Sequence, residues 1–297
     1  MIFVNFVSRF DVTPWMLKHH RAGLSYSDTI APIFIFVVGI GFRLSFTRRA
    51  ARTGPWAARW AAVKRYVLIT LLGFLIYPGY FWDALTDIGL AGLLALGVID
   101  RSTGLRTVAA FAFLGAYQAI YSLTGYGQWV ATYSLNGGPL GPLSWAFILL
   151  MGTVCYDILA SHDTPRIATG CLLWGAGLSL AGWLLKAEWP GIKEAWPFSQ
   201  YGMSAPYPFF ATGLAFLTFL GFHCLCDVAR RQLPHLTVLG ENPLVLYLTQ
   251  AALIAASALI LKNDAPLSLA ALGFACTYGA CYALAKWLHA HRVIVKI

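Results

Sequence analysis

Long apolar runs, separated by short polar joints, constrain the fold of this 297-residue chain more than any other feature. Nine runs are candidates to cross a bilayer, at residues 28–46, 60–80, 83–100, 105–123, 143–160, 165–186, 207–228, 242–262 and 266–287. A span needs about 20 apolar residues. Its backbone groups must be satisfied internally in lipid, so each run is expected to be helical. The joints carry the helix breakers Pro78-Gly79, Gly104, Gly137-Gly138-Pro139, Pro165, Pro206 and Pro266. Charged residues make up 11% of the chain, well below the roughly 25% of soluble domains. Disorder is excluded by the 59% of hydrophobic residues, and a β-barrel would alternate rather than run unbroken. The expected fold is all-α: a polytopic transmembrane helix bundle of about nine full spans plus an amino-terminal partial helix, in one domain over residues 1–297. That partial helix is Met1–Val7, apolar but too short to span and without the layout of a signal peptide. It reads as the end of a helix whose beginning is missing.

The net charge of +9 lies in the joints, so it reads as topology signal and not as a nucleic-acid surface. With the nine spans above, fifteen of the 21 basic residues fall on one side: Arg43, Arg48, Arg49, Arg52, Arg59, Lys64, Arg65, Arg101, Arg106, Arg166, Arg230, Arg231, Lys286, Arg292 and Lys296. The other side holds Arg9, Lys18, Arg21, Lys186, Lys193 and Lys262. Basic excess marks the cytoplasmic face, which puts the carboxyl terminus inside and residues 8–27 outside. Arginines of the first inner loop are also suited to anionic lipid headgroups. The six cysteines all lie in apolar runs, where they read as small buried hydrophobes rather than as a disulfide framework or zinc site.

Ionisable residues inside a membrane are costly, which makes them functional candidates. Asp28, Asp83 and Asp87 fall near outer helix ends; Asp157, His223, Asp227 and Glu241 fall near inner ends. For all seven a solvated, headgroup-level position is the plain alternative. Asp83 and Asp87 share a helix face at the amino end of a run, where the macrodipole favours carboxylates; no third ligand is apparent, so no metal is expected. The densest outer cluster is Lys18-His19-His20-Arg21, ahead of a helix entry with Ser25 or Ser27 as cap and Asp28 in the first turn. Histidine is the natural general base near neutrality; the same four residues also suit a solvated basic loop. Leu239-Gly240-Glu241-Asn242-Pro243-Leu244 reads either as cavity-lining backbone or as a helix start capped by Asn242. Trp189, Trp196, Phe198, Tyr201 and Tyr207 read as an interfacial aromatic belt, with sugar stacking as the alternative.

These residues resemble the heparan-α-glucosaminide N-acetyltransferase-like family of membrane acyltransferases. The match runs through Met1-Ile2-Phe3-Val4-Asn5, His19, Gly23-Leu24-Ser25, Ser27-Asp28-Thr29-Ile30-Ala31-Pro32 and Phe34-Ile35-Phe36-Val37-Val38-Gly39, with weaker echoes at 85–89 and 239–247. The resemblance implies transfer of an acyl group, typically acetyl, from cytoplasmic acyl-CoA (acetyl-CoA) to a sugar amine or hydroxyl on the far side of a bacterial inner membrane. It implies a catalytic set of His19, Asn5 and Asp28: His19 as base, Asn5 as polariser of the acyl carbonyl, Asp28 as orienter of the imidazole. His20 is the alternative base, because the family's spacing before Gly23 would fall on Lys18 and only a one-residue deletion recovers His19. Asp87 stands where the family often carries a basic residue. The family's amino-terminal Asp-x-x-Arg-Gly segment has no counterpart, in keeping with a misassigned start codon or a lost helix. Arg48, Arg49 and Arg52 are the candidates for the CoA phosphates. Expected partners are membrane lipids and a glycan or small-molecule acceptor, with homodimerisation left open. The competing reading is a transporter or flippase for a lipid- or sugar-linked substrate, and a third is a non-catalytic scaffold.

Overall fold

The computed structural model describes residues 1–21, 23–76, 79, 81–186 and 196–295, and the described residues contain helices and loops with no strand. Pro78, Trp189, Lys193 and Lys296, named above, lie outside the described residues. The helices are α1 (Ile2–Val7), α2 (Tyr26–Thr53), α3 (Pro55–Ile76), α4 (Ala84–Leu96), α5 (Thr103–Leu123), α6 (Tyr126–Tyr133), α7 (Gly141–Leu159), α8 (Thr164–Lys186), α9 (Pro206–Phe222, continued by a π-helical turn to Val228), α10 (Pro234–Gly240), α11 (Pro243–Ala258) and α12 (Leu267–Ala290).

Every expected run contains a helix, but nine full spans is an overcount. Among the described residues, five helices are long and apolar enough to cross a bilayer, or up to seven if each of two bent pairs counts as one span. α4 has 13 residues, about 20 Å at 1.5 Å per residue, against a hydrocarbon core of about 30 Å. α3 is longer but carries Arg59, Lys64 and Arg65, leaving Tyr66–Ile76 as its longest uncharged stretch. The chain is a helical membrane protein.

It folds as two compact units. The larger contains His20–Leu24 and Asp28–Cys224. Its central helix is α7, flanked by α4, α5, α8 and α9. Ser144 through Cys155 are all buried, as expected of a helix apolar all round. α2 crosses α7 at glycines: a Cβ on Gly39 would sit 2.0 Å from the Leu149 carbonyl oxygen, and one on Gly152 would sit 2.1 Å from that of Phe36. Small residues let helix backbones meet this closely in membranes.

The smaller unit contains Met1–His19, Ser25–Ser27 and Leu225–Ile297. Phe6, Phe10 and Ala270 form one buried cluster, and Leu246, Cys281 and Ala285 another. Arg9 lies over the Phe10 ring, 4.5 Å from its centroid, and donates to the Leu261 carbonyl at 3.0 Å, covering the carboxyl end of α11. Asn242 holds the N-cap position of α11 with Pro243 at the first turn, yet its side chain makes no cap hydrogen bond. Instead Asn242 Nδ2 donates to Val293 O at 3.0 Å and Oδ1 accepts from Val295 N at 2.8 Å, so the cap expectation is corrected to a clasp on the carboxyl-terminal segment. Of the six cysteines, Cys155, Cys171 and Cys281 are buried, whereas Cys224 and Cys276 are exposed.

Candidate functional site

The most unusual chemistry of the larger unit lies at the amino end of α4. Asp83 caps that helix, accepting from Leu85 N at 3.5 Å, as a carboxylate at a helix start should. One turn on, Asp87 is 0% exposed. Beside it runs Asn136-Gly137-Gly138, with φ of +53°, +82° and +62°, a left-handed stretch that asparagine and glycine tolerate best. This turn aims Asn136 Nδ2 at the Trp82 carbonyl, to which it donates at 2.9 Å. Gln200 Nε2 donates to Asn136 Oδ1 at 3.3 Å, and Trp145 Nε1 donates to Asn136 O at 3.1 Å. Tyr126 OH donates to Gly137 O at 2.7 Å and Tyr117 OH to Gly202 O at 2.6 Å.

Each of these donors has a carbonyl partner, and the Asn136 and Gln200 amides each keep a second N–H. Asn136, whose amide keeps a second N–H beside the one on Trp82, is the hydrogen-bonding side chain within reach of Asp87; neither Asp87 oxygen, nor Gln200 Oε1, has a closer hydrogen-bond partner among the described residues. Burying such groups without partners costs several kcal/mol. Asp87 is therefore buried by protein, and not solvated as one reading held.

Adjoining elements hold the histidine-bearing loop. Arg21 Nη1 donates to Ala131 O at 2.8 Å, its guanidinium lies 5.3 Å from the Tyr201 ring centroid, and Ser199 Oγ donates to Arg21 O. Asp28, in the first turn of α2 as expected, is 0% exposed rather than solvated, and its carbonyl accepts from Tyr207 OH at 2.7 Å. The aromatic-belt reading is likewise corrected for Phe198 and Tyr207, which are buried in the unit.

At the far ends of α5 and α7, about 20 Å along α7 from Ser144, Asp157 binds two arginines. Arg43 Nε lies 3.3 Å from one oxygen, and the fully buried Arg106 closes on the other. Arg43 Nη1 also donates to Ile99 O at 2.5 Å. Two guanidiniums against one carboxylate leave this end net positive, and Asp157 is a clamp rather than a solvated end group. Nearby, Arg59 Nη2 pairs with Asp100 at 2.8 Å.

The sequence-derived site residues divide between the units. Asn5, on α1, is half-buried and His19 exposed, both in the smaller unit; His20, half-buried, and Asp28 belong to the larger. Arg48, Arg49 and Arg52 are exposed in the last turns of α2. Among the described residues no three His, Cys, Asp or Glu side chains converge as they would to hold a metal ion. Asn136 and Gln200 escaped the sequence reading; the signal for the first was its place directly ahead of Gly137-Gly138-Pro139, a run read only as a joint. Compared with models of known protein families and with curated proteins, the chain matches none.

Proposed function

We propose that the chain is a membrane-embedded acyltransferase of the heparan-α-glucosaminide N-acetyltransferase-like kind, moving an acyl group from acyl-CoA to a sugar amine or hydroxyl across a bacterial inner membrane, with its carboxyl terminus cytoplasmic. The observation that carries this reading is the anchoring of the His20–Leu24 segment: Arg21 is bound to Ala131, Ser199 and Tyr201 within the unit that buries Asp28. An imidazole on a fixed loop is a better general base than one on a free loop, because the proton must be taken in a set geometry. In the reaction, His19 or His20 takes the proton from the acceptor N–H or O–H. The freed nitrogen or oxygen attacks the thioester carbonyl carbon, the C–S bond breaks, and the CoA thiolate leaves and is protonated. With His19, which shares its unit, Asn5 is assigned to the carbonyl oxygen as negative charge grows on it. The net-positive Arg43, Arg106 and Asp157 end, with exposed Arg48, Arg49 and Arg52 beyond, suits the CoA phosphates.

A transporter of a lipid- or sugar-linked substrate is the second reading. It is favoured by the two bent helix pairs, α5 with α6 at 89° and α10 with α11 at 84°, since broken helices commonly build transport sites. Purified protein assayed with radiolabelled acetyl-CoA and an amino-sugar acceptor separates the two. Transfer that falls at least about 100-fold in His19→Ala or His20→Ala supports the enzyme; equal rates in both variants and the wild type remove the histidines from the chemistry.

A further inference from the structure

The two faces of α3 differ in character. Ala58, Ala62, Tyr66, Ile69, Thr70 and Gly73 are buried, on a helix that packs against α4. The opposite face carries Trp56, Trp60, Lys64, Leu68, Leu71 and Leu75, spaced three or four residues apart so that they form one row, and all six are exposed. Two tryptophans, ring centroids 6.4 Å apart, begin the row; a cation follows, then aliphatic side chains to its far end. Arg65, also exposed, doubles the charge beside Lys64.

The depth of this row follows from α2, one of the helices able to cross a bilayer. Phe42 of α2 meets Tyr66 of α3 with ring centroids 4.8 Å apart. Both are equally far along the chain from the Gly54 joint, so α2 and α3 run antiparallel and in register. Trp60 is thereby level with Arg48, and Lys64 with Leu44, about 6 Å deeper. A lipid-facing cation at such depth is costly without a counter-charge, even with its long side chain reaching toward the surface. The chain offers none: no Asp or Glu occurs from Thr29 through Trp82. Asp100 is already paired with Arg59 and Arg101, and Asp157 with Arg43 and Arg106. Among the described residues Lys64 and Arg65 form no ion pair, so their counter-charge must come from outside the chain.

We propose that this face of α3 binds an anionic phospholipid, with the phosphate on Lys64 and Arg65, the headgroup beside Trp60 and the acyl chains along Leu68, Leu71 and Leu75. The polarity along the row follows that of such a lipid, and a net negative headgroup supplies the missing charge. A zwitterionic headgroup brings its own ammonium and neutralises less. The site uses none of the residues assigned to acyl transfer or to CoA and stands or falls without them.

The test is native mass spectrometry of the full-length protein in detergent, titrated with phosphatidylglycerol and, in separate arms, with phosphatidylcholine of the same acyl chains and with inorganic phosphate. The proposal requires a saturable phosphatidylglycerol adduct at concentrations where neither phosphatidylcholine nor free phosphate binds. In Lys64→Gln with Arg65→Gln its midpoint should rise about 30-fold. Should that variant fail to fold, Lys64→Gln alone should raise the midpoint about fivefold. Arg230→Gln with Arg231→Gln, which removes two exposed cations of the smaller unit, is the comparison and should leave the midpoint unchanged. Equal binding of the two lipids, or binding of free phosphate as tight as that of phosphatidylglycerol, overturns the site. So does an unchanged midpoint in the Lys64 variants, or an equal rise in the Arg230 and Arg231 variant. No acyl-CoA is present, so this result and that of the transfer assay are read independently.

Discussion

The Arg106 guanidinium, with none of its side chain exposed, closes on the same Asp157 oxygen that accepts the Thr103 hydroxyl at 2.5 Å. Arg106 Nη1 also donates to Thr153 Oγ1 at 2.6 Å, and Arg43 reaches the other carboxylate oxygen. One acidic side chain therefore joins α2, α5 and α7. Asp157→Asn leaves two guanidiniums without their counter-charge, one fully buried, and is expected to cost about 3 kcal/mol. The loss is read as a fall in Tm. Replacing both members, Arg106→Met with Asp157→Leu, should recover part of it, because an apolar pair of similar volume leaves no fully buried charge behind, only the part-exposed Arg43.

The crossing of α2 and α7 tolerates no methyl group. Gly39→Ala and Gly152→Ala would each push a Cβ into a carbonyl of the facing helix, at 2.0 and 2.1 Å, and backbone cannot move aside as a flexible side chain can. Each substitution is expected to destabilise by about 3 kcal/mol or more. Gly41→Ala, whose Cβ would meet nothing within 4 Å, is the control and should leave Tm unchanged. Equal melting of all three variants would show that the crossing is looser than described.

Acid should loosen the turn between α4 and α5. Burial alone would raise the pKa of Asp100, but the hydrogen bond and charge of Arg59, with the charge of Arg101, outweigh it and hold the carboxyl below its ordinary value of 3.8. A carboxyl that is more acidic folded than unfolded stabilises the fold above its unfolded pKa. That contribution is lost as pH falls through the folded value. Between pH 7 and pH 5 Asp100 should therefore contribute a constant amount, declining only below about pH 4. Melting curves of wild type and Asp100→Asn should converge in that acid range and separate above it.

Helix positions were legible because unbroken apolar runs leave the backbone no other way to satisfy itself in lipid. Helix ends were less so. The run 83–100 continues apolar through Val98 and Ile99, yet α4 stops at Leu96, whose carbonyl accepts from Arg59 Nη1 at 3.0 Å while Ile99 O is taken by Arg43. Likewise α11 ends at Ala258, before the expected 262, with Arg9 donating to Leu261 O. Those arginines come from distant segments, and local pattern carries no trace of them. Asp28 was placed correctly in the first turn of α2, but its burial was not foreseen. The same holds for Asp87: two carboxylates one turn apart at a helix start look alike whether water or protein covers them. Only the packing of α4 against α3 and α7 decides between the two.

The central claim, acyl transfer across a membrane, is tested most directly by sidedness. Protein reconstituted into liposomes receives labelled acetyl-CoA on the side of the Arg48, Arg49 and Arg52 loop, and an amino sugar on the opposite side alone. The account predicts labelled N-acetylated sugar accumulating in the acceptor compartment while CoA remains in the other, with the signal lost in the histidine variant that abolishes transfer. Unmodified sugar crossing the membrane with no label attached would contradict it and leave the chain a transporter.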